Sequence, residues 1–357
     1  MTDVQNLPYS APPYARVEAG TPLVEVRDLK TYFPIRRGVL SRTVGHVKAV
    51  DGVSFDVPAG RTLGLVGESG CGKSVTARSV LGIVEAPGKV VGGQMLLRTQ
   101  AGKQVDLATL APDSAAYRAI RGPEIALIFQ EPMASFSQYY TIGNQIMESV
   151  RLHMGLDKHD ARARAIELLD MVGVPQPSRR VDEYPFELSG GLRQRVMIAM
   201  ALSCDPRILF ADEPTTALDV TTQAQILDLL RDLQAKRGLA IILITHDMGV
   251  IAEMAHDVAV MYLGRAVETG PVADIFASPR HPYTRALLRS IPTVLAKPRT
   301  RLPTIAGSIP LPSARPLGCA FSPRCTEVFG DICNTAQPPP VVDGPRNVRC
   351  FLHGGAP

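Results

Sequence analysis

The chain has 357 residues, 45% of them hydrophobic, which is enough for about two domains with a substantial buried core. Its 38 basic and 34 acidic residues leave a formal net charge of only +4, too small a surplus to indicate nucleic-acid binding. No apolar run approaches the ~20 residues needed to span a bilayer, and residues 1–21 lack the pattern of a secretory signal. We therefore expect a cytoplasmic globular chain with a flexible lead-in at 1–21.

Strands and helices alternate along most of the sequence. Residues 23–29 alternate like a strand, and residues 52–67 predict two strands around the turn Pro58-Ala59-Gly60. The basic, glycine-punctuated stretch at 34–48 predicts an exposed hairpin or loop, and residues 88–125 are mixed and rich in loop formers. Further helices are predicted at 74–84, 141–173, 190–203 and 222–238, and buried strands at 125–130, 207–213 and 239–246. This alternation predicts an α/β fold with a mostly parallel sheet, followed by a small proline-rich region at 271–357.

The stretch LGLVGESGCGKSVTARSVL carries the strongest motif. Gly67, Gly72, Lys73 and Ser74 match G-x-x-x-x-G-K-[ST], between an apolar strand and a helix. Glycines let backbone N–H groups turn towards phosphates, Lys73 is expected to reach the β and γ oxygens, and Ser74 to bind Mg²⁺. The alternative is a glycine turn that only closes a strand–helix unit. The expected nucleotide-binding residues of this loop are Gly67, Glu68, Ser69, Gly70, Cys71, Gly72, Lys73 and Ser74.

Two acidic residues end a second apolar strand, RILFADEP. Asp212 suits a role near Mg²⁺, and Glu213 suits the general base for an attacking water. His246 ends the strand LAIILITH, where it is either a structural histidine or a contact to the γ-phosphate and the water. Cys71, inside the phosphate loop, is either a small spacer or a redox-sensitive thiol.

These motifs occur in one order that resembles the ATP-binding cassette (ABC) ATPases. LSGGLRQR at 188–195 resembles their signature, Gln130 their Q-loop residue, Asp219 in TALD their D-loop and ITHD their switch histidine. The resemblance implies a RecA-like core, an antiparallel β subdomain and a helical signature subdomain over 22–270. It also implies ATP as the nucleotide, with Mg²⁺ held by Ser74, Gln130 and Asp212.

The signature is expected to act on a partner's nucleotide. Ser189, Gly190 and Gly191 precede a helix, whose N-terminus favours anions. Because the chain already has its own phosphate loop, we expect a head-to-tail dimer of cassettes in which the signature faces the opposing ATP. The residues assigned to this role are Leu188, Ser189, Gly190, Gly191 and Gln194.

An aromatic residue is expected to stack on adenine. Phe33 in LKTYF falls where the family places it, with Tyr32 as the fallback and a core aromatic as the structural alternative. Stacking of this kind is worth roughly 1–3 kcal/mol per base.

Three stretches resemble ATPase subunits of oligopeptide and dipeptide importers: EPTTALDVTTQAQILDLL, HPYTRALLRSIP (281–292) and the cysteine-containing tail. The resemblance implies a peripheral subunit on the cytoplasmic face of the inner membrane. It implies two permease subunits, a second cassette (identical or paralogous), an indirect link to an extracytoplasmic solute-binding protein, and no nucleic acid. ASFSQYY (134–140) departs from the family's serine–leucine–asparagine–proline run, which leaves the substrate open. Alternatives are a nickel, glycan or opine importer, an exporter motor, or a soluble ABC ATPase.

Four of the six cysteines lie near the end of the chain, at Cys319, Cys325, Cys333 and Cys350. Their spacing, C-x5-C-x7-C-x16-C, is looser than that of paired zinc-finger ligands. In the importers that the chain resembles, such a tail can hold a [4Fe–4S] cluster, which four thiolates satisfy. Zinc, or a metal-free tail with buried thiols, are the alternatives.

Overall fold

A computed structural model of the chain describes residues 20–38, 41–216, 218–291, 304–311 and 314–354. The predicted lead-in at 1–21 lies almost wholly outside these residues. None of the helices in the described ranges combines the length and apolarity needed to cross a membrane.

Twelve strands are described. They are β1 (Pro22–Arg37), β2 (Arg42–Pro58), β3 (Thr62–Val66), β4 (Lys89–Arg98), β5 (Gln104–Asp106), β6 (Ile125–Ile128), β7 (Ile208–Asp212), β8 (Ala240–Thr245), β9 (Asp257–Tyr262), β10 (Arg265–Pro271), β11 (Val341–Asp343) and β12 (Arg346–Val348).

The described ranges also contain twelve α-helices. They are α1 (Lys73–Val80), α2 (Ala115–Ile120), α3 (Pro132–Ser135), α4 (Ile142–Met154), α5 (Lys158–Met171), α6 (Pro177–Arg180), α7 (Gly190–Ala201), α8 (Val220–Arg237), α9 (Met248–Met254), α10 (Val272–Ala277), α11 (Pro282–Arg289) and α12 (Ile332–Thr335).

The larger sheet has the order β11-β12-β10-β9-β3-β8-β7-β6. Its strands from β9 to β6 are parallel, as the alternation of strands and helices predicts. In β7, Leu209 and Ala211 point into the core shared with the helices, whereas Ile208 and Phe210 point into the core shared with the smaller sheet. Because both faces of the sheet are covered at β7, the sequence of this strand is a continuous run of mostly apolar residues.

The smaller sheet is antiparallel, with the order β2-β1-β4-β5. The basic stretch at 34–48 forms the ends of β1 and β2, which pair as a hairpin. The expectation of a loop-rich segment at 88–125 was wrong for β4, which pairs with β1 along much of its length. Gly92 and Gly93 hide this strand in the sequence, since glycine is typical of turns. Gly93 has φ 96° and passes against the backbone of β1, where a side chain would collide with Asp28 and Leu29.

The helical layer follows the amphipathic pattern of the sequence. In α8, Ile226, Leu230 and Leu233 are buried and Leu229 is partly buried. The helix ends at Gly238, which adopts the left-handed conformation (φ 64°) that the sequence predicts there.

The C-terminal region extends the larger sheet, because β12 pairs with β10 and β11 pairs with β12. Buried Glu268 of β10 joins the two parts by accepting hydrogen bonds from the backbone N–H groups of Arg280 and His281 and from the Arg346 guanidinium. A boundary near residue 271 remains a prediction, and this region shares a sheet with the rest of the chain.

Candidate active site

The phosphate loop connects β3 to α1 and runs between two neighbouring backbones. A Cβ at Gly67 (φ 148°) would lie 2.2 Å from the carbonyl oxygen of Met261. A Cβ at Gly72 (φ 104°) would lie 2.3 Å from that of Ala49. Both positions therefore need glycine for its conformation and for space.

The buried Lys73 folds into this loop. Its Nζ donates hydrogen bonds to the carbonyl oxygens of Gly67 (2.8 Å) and Glu68 (3.2 Å). Burial raises the pKa of the neighbouring Cys71 thiol, which is fully enclosed. A buried, protonated thiol supports the spacer interpretation of Cys71 over a reactive thiolate.

Ser74 and Asp212 meet at the carboxyl end of β7. The Ser74 hydroxyl donates to Oδ1 of Asp212 at 3.0 Å, and burial raises the pKa of Asp212. A hydroxyl and a carboxylate at this separation are the hard oxygen ligands that Mg²⁺ prefers, so these two residues fit the ion.

Two predicted residues, Gln130 and His246, and the unpredicted Thr216 converge on Glu213. Its carboxylate accepts hydrogen bonds from Gln130 Nε2 (3.0 Å) and Thr216 Oγ1 (2.9 Å), and it lies 3.2 Å from Nδ1 of His246. Burial alone would raise the pKa of Glu213, but the bonds to Thr216 and His246 outweigh it and lower the pKa. The backbone of Glu213 is left-handed (φ 46°), a conformation that aims the side chain at some energetic cost.

This arrangement differs in two respects from the sequence expectation. Gln130 contacts Glu213 and not the Ser74–Asp212 pair to which the sequence assigned it. Thr216 was missed, because a hydroxyl three residues after an acid carries no signal until the turn from Glu213 to Thr216 is known.

The two candidate adenine-stacking aromatics have different partners. The ring of Phe33 lies against Gly88, where a Cβ would come within 2.4 Å of it. Tyr32 donates its hydroxyl to Asp51 at 2.7 Å. The assignment of Phe33, with Tyr32 as the fallback, therefore stays a prediction.

The signature begins α7. Ser189 caps this helix by accepting a hydrogen bond from the N–H of Leu192, and Ser189 and Gly190 are exposed. Leu188 is buried beneath them. The expectation for Gln194 is corrected: it is only 3% exposed, on the inner face of α7, and is not presented to a partner with Ser189.

Within the described ranges no hydrogen bond joins the signature to the phosphate loop of the same chain, and its role towards a partner's nucleotide stays a prediction. Asp219 caps α8 through hydrogen bonds from Thr222, which lower the pKa of Asp219.

The four C-terminal cysteines line one small cavity together with His281. Backbone N–H groups of Glu327 and Phe329 donate to the sulfur atoms of Cys325 (3.4 Å) and Cys333 (3.3 Å). Burial raises the pKa values of the Cys319 and Cys325 thiols and raises that of Cys350 to about 11.

The sulfur atoms are near one another without being clustered tightly. No three of them lie mutually within 4.8 Å; among the described residues that distance is met only by the exposed group Asp157, His159 and Asp160.

Comparisons with known proteins identify the family to which this chain is similar. The family model for the ABC transporter matches residues 50–216, and the model for the oligopeptide/dipeptide transporter C-terminal region matches residues 267–333. A candidate peptide import ATP-binding protein of Brucella melitensis biotype 1 is 47% identical over 324 residues, covering 89% of this chain and 93% of the relative. A similarly named protein of Brucella abortus (strain 2308) is 50% identical over 330 residues, covering 92% and 94%.

Solved structures of ABC cassettes share the fold. The dimeric structure of MJ0796, a bacterial ABC transporter cassette, has a TM-score of 0.59 at 24% identity and covers 70% of this chain and 98% of that one. The structure of cbiO1 from Clostridium perfringens, part of an ABC transporter complex, has a TM-score of 0.56 at 25% identity and covers 72% and 91%. The chain therefore belongs to the ABC transporter ATP-binding subunits of the oligopeptide/dipeptide type, and it is an ATPase.

Proposed function

We propose that this chain is the ATP-hydrolysing motor of an importer for dipeptides or oligopeptides, attached to the cytoplasmic face of the inner membrane. The observation that carries the catalytic part is the convergence of Gln130, Thr216 and His246 on Glu213. The names of the relatives and the matched C-terminal region support peptides as the solute.

Glu213 acts as the general base. Its lowered pKa keeps it ionised at neutral pH, and its two oxygens are oriented by the three side chains around it. His246 and Gln130 position the carboxylate, and His246 would also contact the γ-phosphate and the attacking water. Lys73 and the loop N–H groups bind the phosphates, and Ser74 and Asp212 would hold Mg²⁺, which would neutralise charge on the phosphate oxygens.

Two cassettes work together. Exposed Ser189, Gly190 and neighbouring Gly191 at the start of α7 complete the site of an opposing subunit, with Asp219 near the interface. Closure of the dimer on ATP and reopening after hydrolysis supply the motion that drives transport.

The permeases dock beside α4. Tyr139 and Tyr140 are 88% and 60% exposed, and Leu152 is 75% exposed on the same helical subdomain. Tyr140 and Leu152 line a wide cleft along α4. An exposed aromatic and aliphatic surface of this kind is typical of an interaction site. The segment 134–140, where the sequence departs from the family, lies at this surface and is fixed to α4 by Gln145.

The four C-terminal cysteines hold a [4Fe–4S] cluster in this proposal. All four line one cavity, and two of the sulfurs accept backbone N–H bonds, which stabilise thiolates. His281 borders the same cavity and is fully buried, which lowers its pKa to about 3. Its Nδ1 accepts from the N–H of Tyr283, so the ring proton is on Nε2, and Nε2 has no protein partner. This orphaned donor fits a cavity that holds an acceptor such as a cluster sulfur.

The sulfur separations favour a cluster over zinc. A tetrahedral zinc with Zn–S bonds near 2.3 Å would bring its sulfurs to about 3.8 Å from one another. No three sulfurs lie mutually within 4.8 Å here. A cluster distributes the thiolates over several irons and tolerates the wider spacing. Bound there, it supplies either a covalent cross-link for a segment with little regular structure or a site for one electron.

Purification of the tagged chain from native membranes tests the motor. We expect two permease subunits and a second cassette to be recovered with it, and peptide uptake to stop in cells that carry only Glu213→Gln. Glu253→Gln, an exposed acid on α9, is the matched control. Recovery of a soluble complex without permeases would instead support a soluble ABC ATPase.

Anaerobic purification tests the cluster. We expect brown protein with about four irons per chain. Stoichiometric zinc, or protein without metal, would reject this part of the proposal and leave the ATPase unaffected.

A further inference from the structure

We propose that Arg324 and Tyr283 of the C-terminal region are positioning residues for the phosphate loop, so that ATP affinity depends on residues outside the cassette. The inference rests on the proposed phosphate site and does not require the cluster.

Both residues act on Glu68, which follows the first glycine of the loop. The backbone N–H of Glu68 donates to the Tyr283 hydroxyl at 2.8 Å. The Glu68 carboxylate accepts two parallel hydrogen bonds from Arg324, at 2.7 Å from Nη1 and 3.0 Å from Nη2. Such forked, charge-assisted pairs are among the strongest and most directional side-chain contacts.

Arg324 is itself held on several sides. Its side chain is only 3% exposed, and its Nε donates to the carbonyl oxygen of Ala306. Its guanidinium also reaches the Tyr262 hydroxyl at 3.3 Å. The rings of Tyr262, Tyr283 and Phe321 pack together with centroids 4.7–5.3 Å apart. A long side chain with all its freedom removed in this way can fix the position of the group it binds.

The pair also controls charge beside the phosphates. Lys73, the cation expected to bind the phosphates, donates a hydrogen bond to the carbonyl oxygen of Glu68. The Glu68 carboxylate is therefore a negative charge close to Lys73. Arg324 neutralises that carboxylate. Without Arg324, an unpaired and partly buried negative charge would remain in a loop that receives polyanionic ATP.

Arg324 lies directly before Cys325, and Phe321 lies two residues after Cys319. Order in the cysteine-bearing segment and order in the phosphate loop are therefore coupled through one salt bridge. By linkage, whatever stabilises this segment favours nucleotide binding, and nucleotide stabilises the segment in return.

The test measures the dissociation constant of ATP, with Mg²⁺, and the kcat and KM for hydrolysis on the full-length chain. Arg324→Ala is expected to raise both the dissociation constant and KM roughly tenfold or more, with a much smaller change in kcat. Arg324→Lys, which keeps the charge and loses the fork, should fall between Arg324→Ala and wild type. Tyr283→Phe should weaken binding by a few fold, since it loses one acceptor. Arg231→Ala removes two surface ion pairs, with Asp228 and Glu253, and is the control.

A double variant separates charge control from simple folding support. Adding Glu68→Gln to Arg324→Ala removes the unpaired charge, so the double variant should bind ATP more tightly than Arg324→Ala alone. Losses that simply add, or equal affinity for Arg324→Ala and wild type, would overturn the inference while leaving the ATPase assignment in place. If Arg324→Ala does not fold, Arg324→Lys and its Glu68→Gln double variant give the same comparison. Wild-type protein that fails to bind ATP would instead reject the proposed site.

Discussion

The phosphate loop and the cysteine segment (residues 319–350) both consist largely of loops, yet different contacts hold them in place. The phosphate loop is held by contacts within the protein: its glycines fit against neighbouring carbonyl groups, and Lys73 donates hydrogen bonds to the loop carbonyls. In the cysteine segment, four thiols and the unpartnered Nε2 of His281 surround a cavity. The backbone of the phosphate loop is therefore held by contacts within the protein. The cysteine segment instead has side chains around its cavity that could bind a ligand.

The largest expected effect is on ATP hydrolysis next to the phosphate loop. Glu213→Gln should lower kcat by roughly 100- to 10,000-fold because it removes the general base, while ATP remains bound. Single-turnover hydrolysis and ATP binding measured on the same preparation check this. Turnover close to that of wild type would show that another group takes the proton.

Cysteine substitution tests the other side of the comparison. If the proposed cluster is present, Cys350→Ser should remove most of the iron and the brown colour, because it takes away one of the four proposed ligands. Cys204→Ser is the control, since Cys204 is a free thiol that does not line the cavity and contacts Ser149 instead. Iron and sulfide analysis decides the result, and equal metal in the two variants would contradict the assignment of Cys350.

Glycine substitution asks whether the phosphate loop tolerates any side chain. Gly72→Ala combines a strained φ with a Cβ 2.3 Å from the Ala49 carbonyl oxygen, so we expect a loss of stability of roughly 1–3 kcal/mol and weak ATP binding. Gly102→Ala has a similarly positive φ (74°) but open space around it. Thermal melting and ATP titration of both variants separate strain from collision; equal behaviour would assign the effect to φ alone.

The smallest expected effect concerns the pH profile. Thr216→Val removes a hydrogen bond that lowers the pKa of Glu213, so that pKa should rise. As the pH falls, Glu213 of the variant should therefore become protonated at a higher pH than Glu213 of the wild type. The variant should lose activity at that higher pH. Thr99→Val, in the remote β4–β5 hairpin, is the control. A pH–rate profile with an unmoved acid limb would show that Thr216 does not tune the base.

Sequence reasoning succeeded where the chemistry lies in contiguous residues with a defined context. The phosphate loop, the strand ending in Asp212 and the C-cap at Gly238 are local, since each depends on neighbours along the chain. It failed where contacts are distant: β4 is hidden by glycines that fit against β1, and the burial of Gln194 depends on how α7 packs. The pairing of Glu68 with Arg324, 256 residues apart, has no signature in the sequence.

The most direct test of the account is ATP hydrolysis by the complete complex, purified from native membranes and placed in proteoliposomes. We predict that solute-binding protein loaded with peptide raises the ATPase rate and delivers peptide across the bilayer, and that Glu213→Gln abolishes both. Hydrolysis that is unchanged by the binding protein and the permeases, with no peptide transported, would contradict the proposal that this chain is the motor of a peptide importer.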